Sequence, residues 1–271
     1  VKEKLFIVKI GGNVVDDESA LDAFLSEFHQ LQCSKILVHG GGKLASDLAA
    51  KLSIPQTLVE GRRVTDAETL KVATMVYAGL INKTIVAKLQ ARGTRSFGLS
   101  GVDGNAILSV KRKLREVDFG FVGDVVSVNV ELFQSFFDQS LVPIVAPITH
   151  DGGGQLLNTN ADTIAQELAR ALANFFEVNL IYAFEKAGVL INVDDDQSVI
   201  PIINKHDFDR LKKDHKIFSG MIPKLDNAFQ ALDAGVHQVV LGKASELATL
   251  VTGKSGTTLK LKTETGFDHG N

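Results

Sequence analysis

Leu5, Phe6, Ile7 and Val8 form an unbroken apolar run that continues through Lys9 and Ile10 and stops at the pair Gly11-Gly12. A short apolar run closed by glycines reads as a buried strand, here Lys4–Ile10. Leu21, Phe24, Leu25 and Phe28 then recur at helical spacing and predict a helix over Ser19–Gln30. The alternation continues with a strand at Lys35–Val38, a helix at Lys43–Leu52 and a hairpin across Thr57–Thr65 turning at Glu60-Gly61. A long helical region over Asp66–Ala91, broken near Gly79, precedes extended runs at Ser96–Leu99, Ala106–Val110 and Phe121–Val128. Val130–Asp138 is a helix, Val142–Ala146 a strand and Asn160–Ala173 a helix.

Beyond Asn174 the pattern restarts. Val178–Phe184 is a strand, and Val189–Val193 and Ser198–Ile202 pair about the turn Asp194–Gln197. Lys205–Lys212 and Met221–Ala234 are helices, His237–Leu241 a strand, Ala244–Val251 a helix and Thr257–Leu261 the last strand. Strands alternating with helices predict an α/β fold with a mostly parallel sheet covered on both faces. Residues 1–174 and 175–271 are expected as two lobes, and no repeat or low-complexity segment interrupts them.

Composition narrows the partners. The formal net charge of −3 gives no pull toward nucleic acid or an anionic membrane. The lone Cys33 has no partner for an intrachain disulfide, which fits a reducing compartment. No contiguous apolar run approaches the ~18 residues of a membrane span. The densest stretch, Leu141 to Ile148, has the length of a core strand, and the N-terminus opens into a strand rather than a leader. A soluble, cytoplasmic protein is expected.

Ligands of such sheets gather at the carboxyl ends of the strands, where these glycines lie. Gly11-Gly12 closes the first strand, and Gly40-Gly41-Gly42 closes the second just before a helix. Backbone without side chains at a helix N-terminus presents free N–H groups and the positive end of the dipole to an anion. Gly42-Lys43 does not make a P-loop, since Leu37 and Leu44 stand where that motif needs Gly and Ser or Thr. Gly40-Gly41-Gly42-Lys43-Leu44-Ala45 does fit the dinucleotide fingerprint, with Glu60 placed for a ribose contact. An NAD(P)-binding oxidoreductase is therefore one reading.

Other motifs point elsewhere. Asn158-Thr159-Asn160-Ala161-Asp162 opens a helix, where Asn160 would cap and Asp162 would complement the dipole. Gly220-Met221-Ile222-Pro223-Lys224 puts a lysine at the unfavourable end of another helix, so it needs an anionic partner. Gly61-Arg62-Arg63-Val64-Thr65 places two guanidinium groups on a hairpin, and one of them near a cleft would clamp a carboxylate. His29, His150, His206, His215, His237 and His269 show no ligand spacing. His39 adjoins the glycine turn without an assigned chemical role, and Asp194-Asp195-Asp196 lacks the glycine and distal Glu of a calcium loop.

The ordered set VKIGG, HGGGK, GRRVT, GLSGVDGN, LNTNADTIA and SGMIPK resembles the amino-acid kinase family, over essentially all 271 residues. The resemblance is strongest to the branch that phosphorylates N-acylated glutamate in arginine biosynthesis. It implies an αβα sandwich around a mainly parallel sheet of about eight strands. It also implies an N-terminal lobe for the acylated amino acid and for dimerisation, and a C-terminal lobe for ATP. The product would be an acyl phosphate, formed on N-acetyl-L-glutamate or a close analogue such as N-succinyl-glutamate. By the same resemblance Lys9 and Lys224 reach the transferring phosphoryl group, and Asp162 holds both lysines. Gly11, Gly12 and Gly41 offer N–H groups to phosphate oxygens, and Gly41 and Gly42 lie beside the reacting carboxylate. Arg63 and Asn158 grip the substrate, with Asn160 nearby. Mg²⁺ rides on the ATP phosphates without a protein metal site, and a homodimer is the minimal unit.

Two departures qualify the resemblance. Relatives show Thr/Ser-Asp-Val-x-Gly after the strand entering the second lobe, where this chain has Phe184-Glu185-Lys186-Ala187-Gly188, keeping an acid and adding a cation. The helix that links dimers in arginine-inhibited hexamers has no room before Lys4, so an arginine-insensitive dimer is expected. Leu70, Val72, Ala73, Met75, Val76 and Leu80 form a stripe suited either to a two-fold interface or to the core. A catalytically silent nucleotide sensor is the remaining alternative, and it has to explain why Lys9, Asp162 and Lys224 are all present.

Overall fold

The apolar run at the N-terminus becomes β1 (Lys4–Ile10), whose Leu5, Ile7, Val8 and Ile10 are fully buried. The computed structural model describes residues 2–59, 62–113, 116–192, 194–214, 217 and 221–261. The other strands are β2 (Ser34–His39), β3 (Leu58–Val59), β4 (Arg62–Arg63), β5 (Ser96–Ser100), β6 (Ile107–Lys111) and β7 (Gly123–Val128). They are followed by β8 (Val142–Ala146), β9 (Ile148–His150), β10 (Leu156–Asn158), β11 (Glu177–Phe184), β12 (Ile202–Asn204), β13 (Gln238–Lys243) and β14 (Thr257–Lys260). An eight-stranded sheet has the order β12-β14-β13-β11-β1-β2-β8-β5. Its strands from β5 to β13 run parallel, and β14 lies antiparallel to β13 with β12 parallel to β14.

The helices are α1 (Gly12–Asp16), α2 (Glu18–Gln30), α3 (Gly42–Lys51), α4 (Ala67–Thr74), α5 (Asn82–Ala91) and α6 (Val130–Asp138). They continue with α7 (Ala161–Leu172), α8 (Lys205–Lys213), α9 (Ile222–Asp233) and α10 (Leu247–Leu250). One face of the sheet is covered by α6, α7, α8 and α9 through Phe133, Leu168, Phe208 and Phe229. The other is covered by α2, α3, α4, α5 and α10 through Phe24, Ala45, Val72, Ile85 and Leu247. This is the expected α/β sandwich with a mainly parallel eight-stranded sheet. The boundary expected near Asn174 falls between α7 and β11, and the sheet is continuous across it, with Leu5 opposite Val178.

Several expectations are corrected. The long helix is not broken near Gly79 but passes from α4 to α5 through a π-helical turn, Met75–Ile81. Over Ala67–Ala91 it is long and apolar enough to cross a membrane by length and composition, although its apolar residues are not contiguous. Val72, Ala73, Val76, Ile81, Ile85 and Leu89 are buried in the core beneath it. The hairpin expected between Val189 and Ile202 is shorter among the described residues: Leu190 bridges Val199, with Ile191 N–H donating to Ser198 O and Ile200 N–H to Val189 O, and Ile202 begins edge strand β12. Ala244–Val251 splits into a 3₁₀ turn, Ala244–Glu246, and the short α10. Two features escaped the periodicity. The first is α1, and the second is the pair β9 and β10, which join the expected strands β6 and β7 in a small sheet of order β10-β9-β6-β7. The expected turn at Glu60-Gly61 lies outside the described residues.

From β1 the chain moves to β2 on one side, while the second half enters at β11 on the other. The crevice where connections diverge lies above the carboxyl ends of these strands. Both glycine turns and the Phe184-Glu185 segment therefore open onto one place.

Candidate active site

Three charged side chains meet above β1. Lys9 is its penultimate residue, Asp162 stands in the first turn of α7, and Lys224 in the first turn of α9. Lys224 Nζ donates to Asp162 Oδ2 at 2.6 Å, and Lys9 Nζ lies 2.7 Å from Oδ1. Each oxygen of the Asp162 carboxylate thus faces one lysine. Burial alone would raise the Asp162 pKa, but Lys9 and Lys224 outweigh it and hold the carboxyl well below the usual range. Two cations share one carboxylate, leaving a net positive charge for an incoming anion.

Gly11 does not offer its N–H to a ligand, because that group donates to Ala183 O at 2.9 Å and extends the ladder to β11. The expected donor role is corrected at that residue, while Gly12, expected as a donor too, is the first residue of α1, where N–H groups have no intrahelical acceptor. A Cβ on Gly12 would stand 3.9 Å from the backbone nitrogen of Gly42, so the N-termini of α1 and α3 adjoin. Gly41 has φ +147°, and a Cβ there would collide with Ile81 Cδ1. That backbone angle favours glycine, and a side chain here would also have to displace the tip of Ile81 on the π turn.

Arg63 reaches back from β4 to the start of α3. Its Nη2 donates to Gly42 O and to Ser46 Oγ, both at 2.8 Å, and its Nη1 donates to Gln56 Oε1. The guanidinium is thus braced against the glycine turn, with donors to spare. Asn158 Nδ2 donates to Thr65 Oγ1 at 3.0 Å, tying β10 to the segment after β4. Asn160 is chiefly an N-cap, its Oδ1 accepting from the N–H groups of Asp162 and Thr163 at 2.8 and 3.2 Å. Its Nδ2 alone remains for a ligand.

A cleft of about 380 Å³ opens beside the two lysines, lined among others by Lys9, Gly12, Phe184, Lys186, Met221 and Lys224. A wider hollow of about 610 Å³ lies at the sheet edge against β13 and β14, and none of the three clamp residues lines it. Among the described residues no cluster of three His, Cys, Asp or Glu could hold a metal ion. Helix N-termini and two lysines give this cleft the N–H donors and positive charge that suit an anion.

Residues without motif signals also shape the site. Asp16, at the end of α1, has both carboxylate oxygens buried without a well-directed hydrogen bond among the described residues, and burial pushes its pKa up against the opposing pull of Lys43 and the Leu44 N–H. Tyr77 and Ile81 back Gly41, and Asn82 bonds His39. Helical spacing marks Tyr77 and Ile81 only as core. Glu60, the ribose ligand of the dinucleotide reading, lies outside the described residues.

Comparison with known proteins agrees with this geometry. An acetylglutamate kinase of Phocaeicola vulgatus is 54% identical over 260 residues, 96% of this chain and 100% of that protein. One of Bacteroides fragilis is 53% identical over 249 residues, 92% of this chain and 95% of that protein. The N-acetylglutamate synthase of Neisseria gonorrhoeae, solved with coenzyme A and N-acetyl-glutamate, superposes with a TM-score of 0.81 at 19% identity, over 96% of this chain and 60% of that one. The oxidoreductase reading finds no support among them. Residues 4–243 match the amino acid kinase family, and the chain belongs to that family.

Proposed function

We propose that this chain transfers the γ-phosphoryl group of ATP to the γ-carboxylate of an N-acylated glutamate, giving an acyl phosphate in arginine biosynthesis. The acceptor is N-acetyl-L-glutamate or a close analogue such as N-succinyl-glutamate. Relatives more than half identical over nearly the whole chain are acetylglutamate kinases, which makes this chain a phosphotransferase with a carboxyl acceptor. The observation that carries the reading is Asp162 holding Lys9 and Lys224 together at the cleft.

A carboxylate oxygen attacks the γ-phosphorus, the bond to the β,γ-bridging oxygen breaks, and ADP leaves. Glutamate's carboxyl, with a reference pKa of about 4.3, is already ionised at neutral pH, so no general base is needed. What remains is to align the reactants and to stabilise charge on the phosphoryl oxygens and the leaving group. Lys9, Lys224 and the N–H groups of Gly12 and Gly41 do this, while Gly41 and Gly42 flank the acceptor carboxylate. Arg63, Asn158 and the Nδ2 of Asn160 hold the rest of the acyl amino acid. Residues 1–174 thus bind the acceptor and residues 175–271 the nucleotide.

Both Asp162 oxygens face lysines, so Mg²⁺ fits on the ATP phosphates rather than on this carboxylate. The ion, when bound, neutralises phosphate charge. Met75 and Leu80 are 52% and 60% exposed on the long helix, which supports a homodimer joined along that face. The net charge of −3 and the lone Cys33 support a cytoplasmic enzyme of small molecules, without nucleic-acid or membrane partners.

The test is ATP consumption with N-acetyl-glutamate, N-succinyl-glutamate, free glutamate, aspartate and carbamate, the acyl phosphate being trapped with hydroxylamine. Hydroxamate is expected from the N-acyl glutamates. Its absence there, or its formation only from the other acceptors, overturns the reading.

A further inference from the structure

We propose that His39 and Asn82 form a positioning relay that turns the Gly41 N–H toward the reacting groups. The assignment of those groups rests on the kinase reading above. His39 is the last residue of β2, fully buried on the face covered by α3 and the long helix. Its Nδ1 is 2.9 Å from Gly40 O, and its Nε2 is 3.2 Å from Asn82 Nδ2. Asn82 Nδ2 also donates to Ile144 O at 2.8 Å, and Asn82 Oδ1 accepts from Lys83 Nζ at 3.1 Å.

These partners leave one consistent pattern of protons. A carbonyl oxygen only accepts, so Nδ1 carries the hydrogen that points at Gly40 O. Ile144 O and Lys83 fix which end of the Asn82 amide is nitrogen, so Nε2 must accept and is bare. His39 is therefore the neutral Nδ1–H tautomer, and its burial pushes the pKa down to about 4.

The consequence lies one peptide further on. In a trans peptide the C=O and the following N–H point in opposite directions. With Gly40 O held against the imidazole, the Gly41 N–H faces away from the helical layer. Among the described residues this N–H has no hydrogen-bond acceptor. Gly12, the other glycine donor, stands across the gap from the Gly42 nitrogen. The π turn explains how one helix serves both ends of the relay. It brings the consecutive residues Ile81 and Asn82 inward together, Ile81 beneath Gly41 and Asn82 beneath His39.

A buried imidazole and amide used only for packing would cost desolvation that apolar side chains avoid. Here the imidazole is spent on the direction of one carbonyl, and the amide holds the imidazole while also bonding Ile144 O and Lys83. Substitutions at His39 separate the two halves of the relay. In His39→Asn the side-chain nitrogen takes the place of Nδ1 and keeps the bond to Gly40 O. His39→Gln reaches Asn82 but not Gly40, and His39→Leu reaches neither.

The experiment combines turnover by hydroxamate trapping with ¹⁵N NMR of histidine in the ligand-free protein, folding being checked by thermal melts. Wild type should show His39 protonated at Nδ1 and bare at Nε2. His39→Gln and His39→Leu should lose about 10–100-fold in kcat with the ATP KM within about 2-fold, while His39→Asn stays within about 5-fold of wild type. An Nε2–H tautomer in wild type overturns the relay. So do folded Gln and Leu variants that turn over normally, or an Asn variant as slow as Leu. If wild type forms no hydroxamate with any acceptor, the kinase reading fails separately. The relay is then decided by the tautomer and by the ADP-induced shift of the Gly41 amide resonance, which His39→Asn should keep and His39→Gln should lose.

Discussion

Lys224 donates to Asp162 across 62 residues of sequence, joining the first turns of α9 and α7 at 2.6 Å. The lysine stands at the end of its helix that repels cations, and the aspartate offsets that repulsion while also facing Lys9. Lys9→Ala or Lys224→Ala should lower kcat by roughly 10²–10³, the usual effect of removing one group that stabilises transition-state charge. Asp162→Asn should do the same by freeing both lysines, with smaller changes in KM. Steady-state kinetics on folded variants checks this, and near-wild-type kcat in all three would end the clamp mechanism.

Arg63→Lys keeps the charge but loses the planar fork that spans Gly42 O, Ser46 Oγ and Gln56 Oε1. Binding of the acyl amino acid should weaken by about 1.5–3 kcal/mol, the worth of a hydrogen bond to a charged group, with ATP affinity nearly unchanged. Calorimetric titration with each ligand separates the two. Weakened ATP beside normal acceptor binding would mean the lobes hold the opposite ligands.

Gly41→Ala places a Cβ against Ile81 and demands φ +147° of a residue with a side chain. Trimming the neighbour in Gly41→Ala/Ile81→Val relieves the contact but not the backbone strain. Both variants should therefore be slow, with the double variant regaining stability and little kcat. Full recovery of kcat in the double variant would assign the defect to packing alone.

Stability should fall between neutral and mildly acidic pH because of His39. Its pKa drops from 6.5 when unfolded to about 4 when folded, so the unfolded chain binds the extra proton as pH falls through this window. The contribution is complete above about pH 6.5 and should decline by about 2 kcal/mol by pH 5. Urea unfolding of wild type and His39→Asn at pH 7.5 and 5 measures it. A variant that loses as much as wild type would place the sensitivity elsewhere.

Lys35 is 5% exposed and closes the C-terminus of α2, its Nζ donating to Phe28 O, His29 O and Leu31 O at 2.8, 3.1 and 2.7 Å. Burial lowers its pKa, yet these carbonyls are the orphan acceptors of a helix end. Lys35→Met should cost about 1–3 kcal/mol in urea unfolding by leaving them unpaired, with kcat unchanged. An unaltered unfolding midpoint would show that water replaces the ammonium.

Much of the frame was legible along the chain, because it depends on neighbours in sequence. Continuous apolar runs marked β1 and β8 to the residue, the helical pattern marked α6, and a helical pattern with the capping Asn160 marked α7. The glycine turns at the ends of β1 and β2, and the misplaced charge of Lys224, pointed to an anion site from local chemistry alone. The family resemblance then grouped Lys9, Asp162 and Lys224.

Tertiary structure decided where each polar group spends its hydrogen bonds. Gly11 and Gly12 look equivalent in sequence, yet the ladder to β11 takes the first amide and leaves the second. Asn160 is spent largely on its helix, and Arg63 on the turn it braces. The π turn that brings Asn82 to His39 has no sequence signature here, since its extra residue makes sense only against β2. Apolar periodicity reports which face of an element is buried. Which donor meets which acceptor is settled when strands distant in sequence fall into register, and the glycine turns proposed to hold a phosphate are set by that pairing.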